Sequence, residues 1–227
     1  RHLLEYLNES QARENTLVFV TSDHGEGMNR HNFVGHTLVA YDDLVRVPLL
    51  VRYPEKYPAG SRVSVPVSTR RIFHSALEVA GALQVGDALN EDIKTLTLTN
   101  CLGDTDPEDG VVFSEAYTPE TLLALMEGEN EAVIEAFRCN LMRRAAYRGS
   151  YKLITVGDQP DELFNVVDDP DELHNLIDKE SSVATELDEL LKSFVAAAEQ
   201  QRSVEQSARI QVEDDALIAE RLRGLGY

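Results

Sequence analysis

The sequence predicts an α/β fold, in which part of a layered α/β domain is followed by a small α+β unit with an antiparallel sheet and a packed helix. Three observations predict it: a short apolar run rich in β-branched residues near the start, an amphipathic helix pattern after a second such run, and a hairpin pattern in the second half. We therefore divide the chain into residues 1–100 (layered α/β), 101–202 (α+β) and 203–227 (a C-terminal tail).

The first region alternates strand and helix patterns. The run TLVFVT, Thr16–Thr21, is typical of a strand buried on both faces of a mostly parallel sheet. A polar, glycine-rich stretch follows, then a second run at Val47–Arg52, and then a helix that begins at Ser68 and stops at Gly81. Because ligands collect at the carboxyl ends of strands in such sheets, the polar stretch is the expected site.

The second region has the pattern of a small antiparallel sheet. Residues 84–110 have the Gly, Asn, Asp and Pro content of a connection. The elements expected after it are a strand at Val111–Glu115, a helical stretch near Glu120–Arg138, a hairpin of AAYR and YKLITV around Gly149 and Ser150, a strand ELFNVV, and a helix from about Ser182. The tail is charged and weakly periodic, so we expect it to lie along the larger domain or to be mobile.

Composition excludes some classes of protein. A net charge of -19, from 40 acidic and 21 basic residues, argues against a nucleic-acid partner, which needs basic surface. The acidic residues are spread along the chain, which favours adaptation to high salt over an ordinary solvated face. The location that we favour is the cytoplasm of a high-salt organism, although signals at the N-terminus are not visible. No apolar run approaches the ~20 residues that cross a bilayer. Cys101 and Cys139 are expected to be buried or incidental thiols.

The first ten residues, RHLLEYLNES, have the pattern of an amphipathic helix that is already under way at Arg1. The chain also begins with Arg rather than Met. We therefore expect that the natural N-terminus, and a preceding half of the protein, are absent from this sequence. The oligomeric state is left open.

Asp23 and His24 directly follow the first predicted strand, and Gly25 allows the backbone to turn sharply after them. A carboxylate beside an imidazole can form part of a site for Ca²⁺, Mn²⁺, Mg²⁺ or Zn²⁺. A loop-capping pair is the alternative interpretation. His31 and His36 lie in the same loop, and this clustering of three of the six histidines favours a functional site.

Several motifs resemble the late strand-loop-strand block of sulfatases in the alkaline-phosphatase-like superfamily. They are NTLVFVTSDHGE, His31, GHT at residues 35–37 and YDDLVRVPLLVRYP. YRGSYKLI followed by DELFNVVDDPDELHNLID is similar to the C-terminal signature of the family, and RLRGLGY is a common ending there. The resemblance implies the C-terminal part of an alkaline-phosphatase-like domain.

The resemblance also implies roles for individual residues. Asp23 and His24 would be metal ligands, with Ca²⁺ favoured and Mn²⁺ or Mg²⁺ as alternatives. His36 would contact the sulfate, at a position where many sulfatases have lysine; a third metal ligand or a structural residue are the alternatives. For His31 we favour a loop histidine bonded to backbone, and for Arg46 an ion pair that fixes the loop.

The nucleophile of the family is a formylglycine made from Cys or Ser in a C/S-x-P-x-R motif, and no residue of this chain fits that motif. We expect the formylglycine in the missing N-terminal half, with the remaining metal ligands. The implied function is hydrolysis of sulfate esters by the intact, metal-dependent protein, and this part alone should be inactive. Alternatives are a phosphoester or phosphonate hydrolase, a phosphoethanolamine transferase, or a non-catalytic interaction domain.

Overall fold

The computed structural model describes residues 2–82, 94–103, 106–118, 123–124, 128 and 130–206. The helices are α1 (His2–Glu9), α2 (Asp42–Val45), α3 (Arg71–Val79), α4 (Glu131–Phe137) and α5 (Ser181–Gln206). The strands are β1 (Val18–Thr21), β2 (Gly27–Met28), β3 (Val34–Gly35), β4 (Leu49–Arg52), β5 (Val112–Ala116), β6 (Arg143–Arg148), β7 (Tyr151–Val156) and β8 (Gln159–Asn165). Short 3₁₀ turns lie at Arg13–Asn15 and Leu98–Cys101. The predicted mixed α/β class is confirmed.

The first predicted strand forms, but its surroundings differ from the expectation. β1 pairs with β4 in antiparallel orientation, with Val20 opposite Leu50. The exposed fractions of these two residues are 55% and 60%, so the expectation of a strand buried on both faces of a parallel sheet is wrong for the described chain. An apolar run specifies a strand, but it does not specify which strand lies beside it or what covers its faces.

Helix α3 contains a buried arginine that is paired with two carboxylates. Arg71 is completely buried and pairs with Asp106 and Glu108, which compensates its charge inside the protein. The helix ends at Val79 and is followed by Gly81 at φ +69°, the left-handed conformation that glycine adopts at helix ends. The predicted end of the helix at Gly81 is confirmed within two residues.

The second half of the chain contains the predicted antiparallel sheet, in the strand order β5-β6-β7-β8. The β6–β7 hairpin turns at Gly149 and Ser150 as predicted, with Arg148 opposite Tyr151 and Gly149 at φ +59°. The buried side chains of the sheet include Leu153 on β7 and Leu163 and Phe164 on β8. Phe164 belongs to a hydrophobic core that includes Ala40, which lies in the loop that follows β1.

Helix α5 begins at Ser181, as predicted, and buries Ala184, Leu187 and Leu191. It runs to Gln206, four residues into the predicted tail, and the rest of that tail lies outside the described residues. Residues 84–93 and 104–105 of the predicted connection also lie outside them, as do residues 120–122, 125–127 and 129 of the predicted helical stretch.

The described residues up to Leu191 form one compact unit. The division into residues 1–100, 101–202 and 203–227 stays a prediction. No helix in the described ranges is both long and apolar enough to cross a membrane.

Candidate functional site

The candidate site is built on the loop between β1 and α2, residues 22–41, which we call the site loop. Asp23 and His24 lie just beyond the carboxyl end of β1, after Ser22, as the sequence predicted. The hydroxyl of Ser22 donates to the carbonyl oxygen of His24 at 2.7 Å. The backbone N–H of His24 donates to Oδ1 of Asp23 at 3.0 Å. These local bonds hold the turn, and the bond from His24 N–H lowers the pKa of Asp23 below its ordinary value, so the carboxylate stays ionised.

The functional atoms of Asp23 and His24 converge. Oδ2 of Asp23 lies 3.7 Å from Nε2 of His24, and the two side chains are 70% and 46% exposed. Nδ1 of His24 lies 2.8 Å from the carbonyl oxygen of Gly25. Because a carbonyl only accepts, Nδ1 carries the proton in the neutral imidazole, and the lone pair of Nε2 is left for a ligand.

This pair fits one part of a metal site. Bonds of roughly 2.0–2.6 Å from a cation to oxygen and nitrogen bring two ligands to about the observed separation. Among the residues that the structure describes, no group of three or more His, Cys, Asp and Glu side chains could hold an ion. A hard cation such as Ca²⁺ takes about 6–8 oxygen ligands, so Asp23 and His24 supply only part of such a shell.

His36 joins this pair through its ring. The rings of His24 and His36 stack at 4.7 Å between centroids with 15° between their planes. Nδ1 of His36 lies 3.2 Å from Oε2 of Glu26. The carboxylate of Glu26 can therefore orient the imidazole and compensate its positive charge when it is protonated, which leaves Nε2–H as a donor to an anion.

Glu26 was not predicted from the sequence. The signal that could have found it is its position in SDHGEG, on the same short loop as the histidines. Its partner His36 is ten residues away, and the β2–β3 pair, in which Gly27 lies opposite Gly35, brings the two together.

Gly25 fixes the site loop against α2. Its backbone N–H donates to the carbonyl oxygen of Leu44 at 2.7 Å. A Cβ atom at position 25 would overlap the carbonyl oxygen of Asp43, so only glycine allows this approach. Because Gly25 adjoins His24, this contact with α2 lies one residue from a candidate ligand.

The ring of His31 contacts Tyr41, whereas the rings of His24 and His36 stack on each other. The His31 ring stacks on the ring of Tyr41 at 3.6 Å between centroids, and burial lowers the pKa of His31, which keeps it neutral at pH 7. Ring stacking rather than the expected backbone hydrogen bond is the contact that the structure shows for it. The structural interpretation of His31 is the one that this geometry favours.

Arg46 was expected to fix the loop through an ion pair. Its Nη1 lies 3.9 Å from Oδ2 of Asp42, and its side chain is 72% exposed. Because the side chain of Arg46 is largely exposed and its guanidinium lies near the distance limit of an ion pair, this contact contributes little to stability. Arg30 makes the closer contacts, to Asp43 at 2.7 Å and to Asp171 at 3.1 Å, and sequence reasoning did not identify it.

A buried ionic network lies behind the loop, and its members were likewise not predicted. The ammonium of Lys152 on β7 is 2.8 Å from Oδ1 of Asp42 and 2.6 Å from Oε1 of Glu172. The hydroxyl of Tyr147 donates to Oδ1 of Asp42 at 2.6 Å. Burial is the largest influence on Glu172 and raises the pKa of its carboxyl above the ordinary value, while Lys152 acts in the opposite direction.

The site loop lies within the segment of the chain that is similar to a known protein family. The family model described as Sulfatase matches residues 1–82. The uncharacterized sulfatase YidJ of Escherichia coli (strain K12) is 45% identical over 60 residues, which cover 26% of this chain and 11% of that protein. Arylsulfatase K of Danio rerio is 28% identical over 193 residues, which cover 83% of this chain and 33% of that protein. The chain thus spans about a third or less of these relatives.

Solved structures share the fold. BT4656, in complex with its substrate D-glucosamine-2-N,6-O-disulfate, superposes with a TM-score of 0.61 at 23% identity, over 89% of this chain and 38% of that one. The phosphonate monoester hydrolase of Agrobacterium radiobacter superposes with the same TM-score of 0.61 at 23% identity, over 87% of this chain and 38% of that one. At this identity the likeness concerns the fold.

Proposed function

We propose that the chain, whose residues 1–82 match the Sulfatase family model as their motifs predicted, forms the C-terminal part of a metal-dependent enzyme that hydrolyses sulfate esters. The observation that carries the proposal is the convergence of Asp23 Oδ2 and His24 Nε2 beside the stacked ring of His36. It brings together an anionic ligand, a neutral nitrogen ligand and a donor to an anion on one loop.

In this proposal Asp23 and His24 hold a divalent cation, and the family resemblance favours Ca²⁺ over Mn²⁺ or Mg²⁺. When bound, the cation would polarise the ester oxygens and stabilise negative charge on the reacting group. Asp23 suits this role because hydrogen bonding keeps it ionised. His24 suits it because Nδ1 is engaged with Gly25, so that Nε2 is free to bind.

His36 in this proposal binds the sulfate group. Glu26 orients its imidazole through Nδ1 at 3.2 Å, and the protonated ring donates from Nε2 to an oxygen of the substrate. A hydrogen-bond donor aimed at developing negative charge contributes most in the transition state. The stack on His24 keeps the donor beside the proposed cation ligand.

The nucleophile is proposed to lie elsewhere in the intact protein. None of the 227 residues satisfies the C/S-x-P-x-R pattern that is converted to formylglycine in sulfatases. The proposal therefore assigns the bond-breaking step to the intact protein and expects no turnover from this chain alone.

Hydrolysis of phosphonate or phosphate esters is the second candidate, because a phosphonate monoester hydrolase shares the fold and both kinds of ester present a tetrahedral oxyanion to the site. The intact, formylglycine-containing protein should be assayed with an aryl sulfate and with the matched aryl phosphonate. A higher kcat/KM for the sulfate supports the proposed function. A higher kcat/KM for the phosphonate selects the second candidate, and no turnover of either ester with cation present overturns both.

A further inference from the structure

The C-terminal sheet contacts α2, the helix that directly follows the site loop, through a buried lysine. Lys152 on β7 has no exposed side-chain surface, and its ammonium contacts Asp42 and Glu172 at 2.8 and 2.6 Å. The proposed hydrolysis uses none of these three groups. Because a buried charge is costly unless it is paired, the two carboxylates and the ammonium hold one another in place.

The network binds the N-terminal end of α2. Asp42 is the first residue of this helix, and its Oδ1 accepts from Lys152 and from the hydroxyl of Tyr147. Its backbone N–H donates to Oε2 of Glu172 at 2.6 Å. Side chain and backbone of Asp42 are thus both fixed by residues more than a hundred positions later in the chain.

Helix α2 also contacts the candidate site, through Gly25. The carbonyl oxygen of Leu44 in α2 accepts the N–H of Gly25, and the carbonyl oxygen of Asp43 leaves room only for glycine there. Gly25 in turn adjoins His24. A continuous series of contacts therefore leads from Lys152 through Asp42 and the backbone of α2 to Gly25.

We propose that Lys152 is a positioning residue for the candidate site: through Asp42 it fixes α2, and α2 fixes the turn that presents Asp23 and His24. The C-terminal sheet is then a support for the site and more than an appended layer. The catalytic meaning of this arrangement rests on the proposed function, but the mechanical link itself does not.

Amide hydrogen exchange of this chain, followed by NMR, tests the link. In Lys152→Met, the network loses its only ammonium, and exchange of the Gly25 amide should accelerate by about tenfold or more, the factor expected when a charge-assisted hydrogen bond is lost. Amides of β7 should keep their protection. In Leu187→Ala, a matched core truncation on α5 far from α2 in the chain, Gly25 and β7 should change together or not at all.

Tyr147→Phe keeps the test decisive if Lys152→Met does not fold. It removes a single hydroxyl that donates to Asp42, and exchange of Gly25 should accelerate severalfold relative to β7. The proposal is overturned if Gly25 and β7 accelerate in parallel in the folded variants, or if Gly25 does not respond. Since no ester is hydrolysed in this measurement, its outcome is independent of whether sulfate esters are the substrate.

Discussion

The imidazole rings of His24 and His36 lie face to face, 4.7 Å apart, while Nδ1 of His36 is held by Glu26. This arrangement separates the proposed role of His24, which binds a cation through Nε2, from that of His36, which donates to the substrate. The two roles predict different consequences of mutation.

Substitution His36→Ala in the intact protein should lower kcat/KM for an aryl sulfate by a factor that corresponds to roughly 2–4 kcal/mol of transition-state stabilisation. Bound metal, measured by elemental analysis, should be unchanged. His174→Ala, which removes an exposed histidine of the turn after β8, is the matched control. If His36→Ala empties the metal site, position 36 is a ligand; if activity is unchanged, the histidine is structural.

Calorimetry of this chain with Ca²⁺ should show weak binding or none. Asp23 and His24 supply two ligands, whereas Ca²⁺ takes about 6–8 oxygens, and water would have to fill the rest of the shell. The matched titration uses Asp23→Ala, which should remove any residual heat. Tight, stoichiometric binding by the unmodified chain would show that it forms a complete site by itself.

Substitution Gly25→Ala should disturb the site loop. The added Cβ overlaps the carbonyl oxygen of Asp43, so the loop must move away from α2, at a cost of about 1–3 kcal/mol in the free energy of unfolding. Gly60→Ala is a control, because a Cβ there meets no neighbour, although its φ of +79° adds backbone strain. Denaturant unfolding measures both, and equal stability of Gly25→Ala and the unmodified chain would contradict the described contact.

The carboxyl of Asp23 should titrate below 3.8 in the folded chain, because the backbone N–H of His24 stabilises the charged form. A lowered pKa in the folded state gives stability that is present above the unfolded pKa and is lost as pH falls through the folded value. NMR titration of the side-chain carboxyl measures this directly. A midpoint at or above 3.8 would mean that the hydrogen bond does not persist in solution.

The local part of the site could be read from the sequence, while its supports could not. Asp23 and His24 are neighbours, so a strand pattern followed by a turn was enough to bring them together. The contact between Lys152 and Asp42 joins residues 110 positions apart, and nothing in the local pattern of either reveals it. The hairpin around Gly149 was predictable for the same reason as Asp23 and His24, because its signal lies within a few residues.

The pairing of β1 could likewise not be predicted from the local sequence. Its β-branched run predicted a strand, yet the pairing with β4 and the exposure of Val20 depend on which strands lie alongside. Hydrophobic periodicity indicates which face of a strand is apolar, but it does not indicate which strand pairs with it.

Asp23 is the residue on which the account depends most, and its removal is the most direct test. In the intact protein, Asp23→Ala should abolish turnover of an aryl sulfate and deplete bound metal together, while Asp158→Ala, which removes an exposed carboxylate from the β7–β8 turn, should leave both unchanged. Elemental analysis and turnover measured on the same preparations decide it. An Asp23→Ala protein that retains its full metal content and its activity would contradict the assignment of this loop as a metal-dependent sulfate ester site.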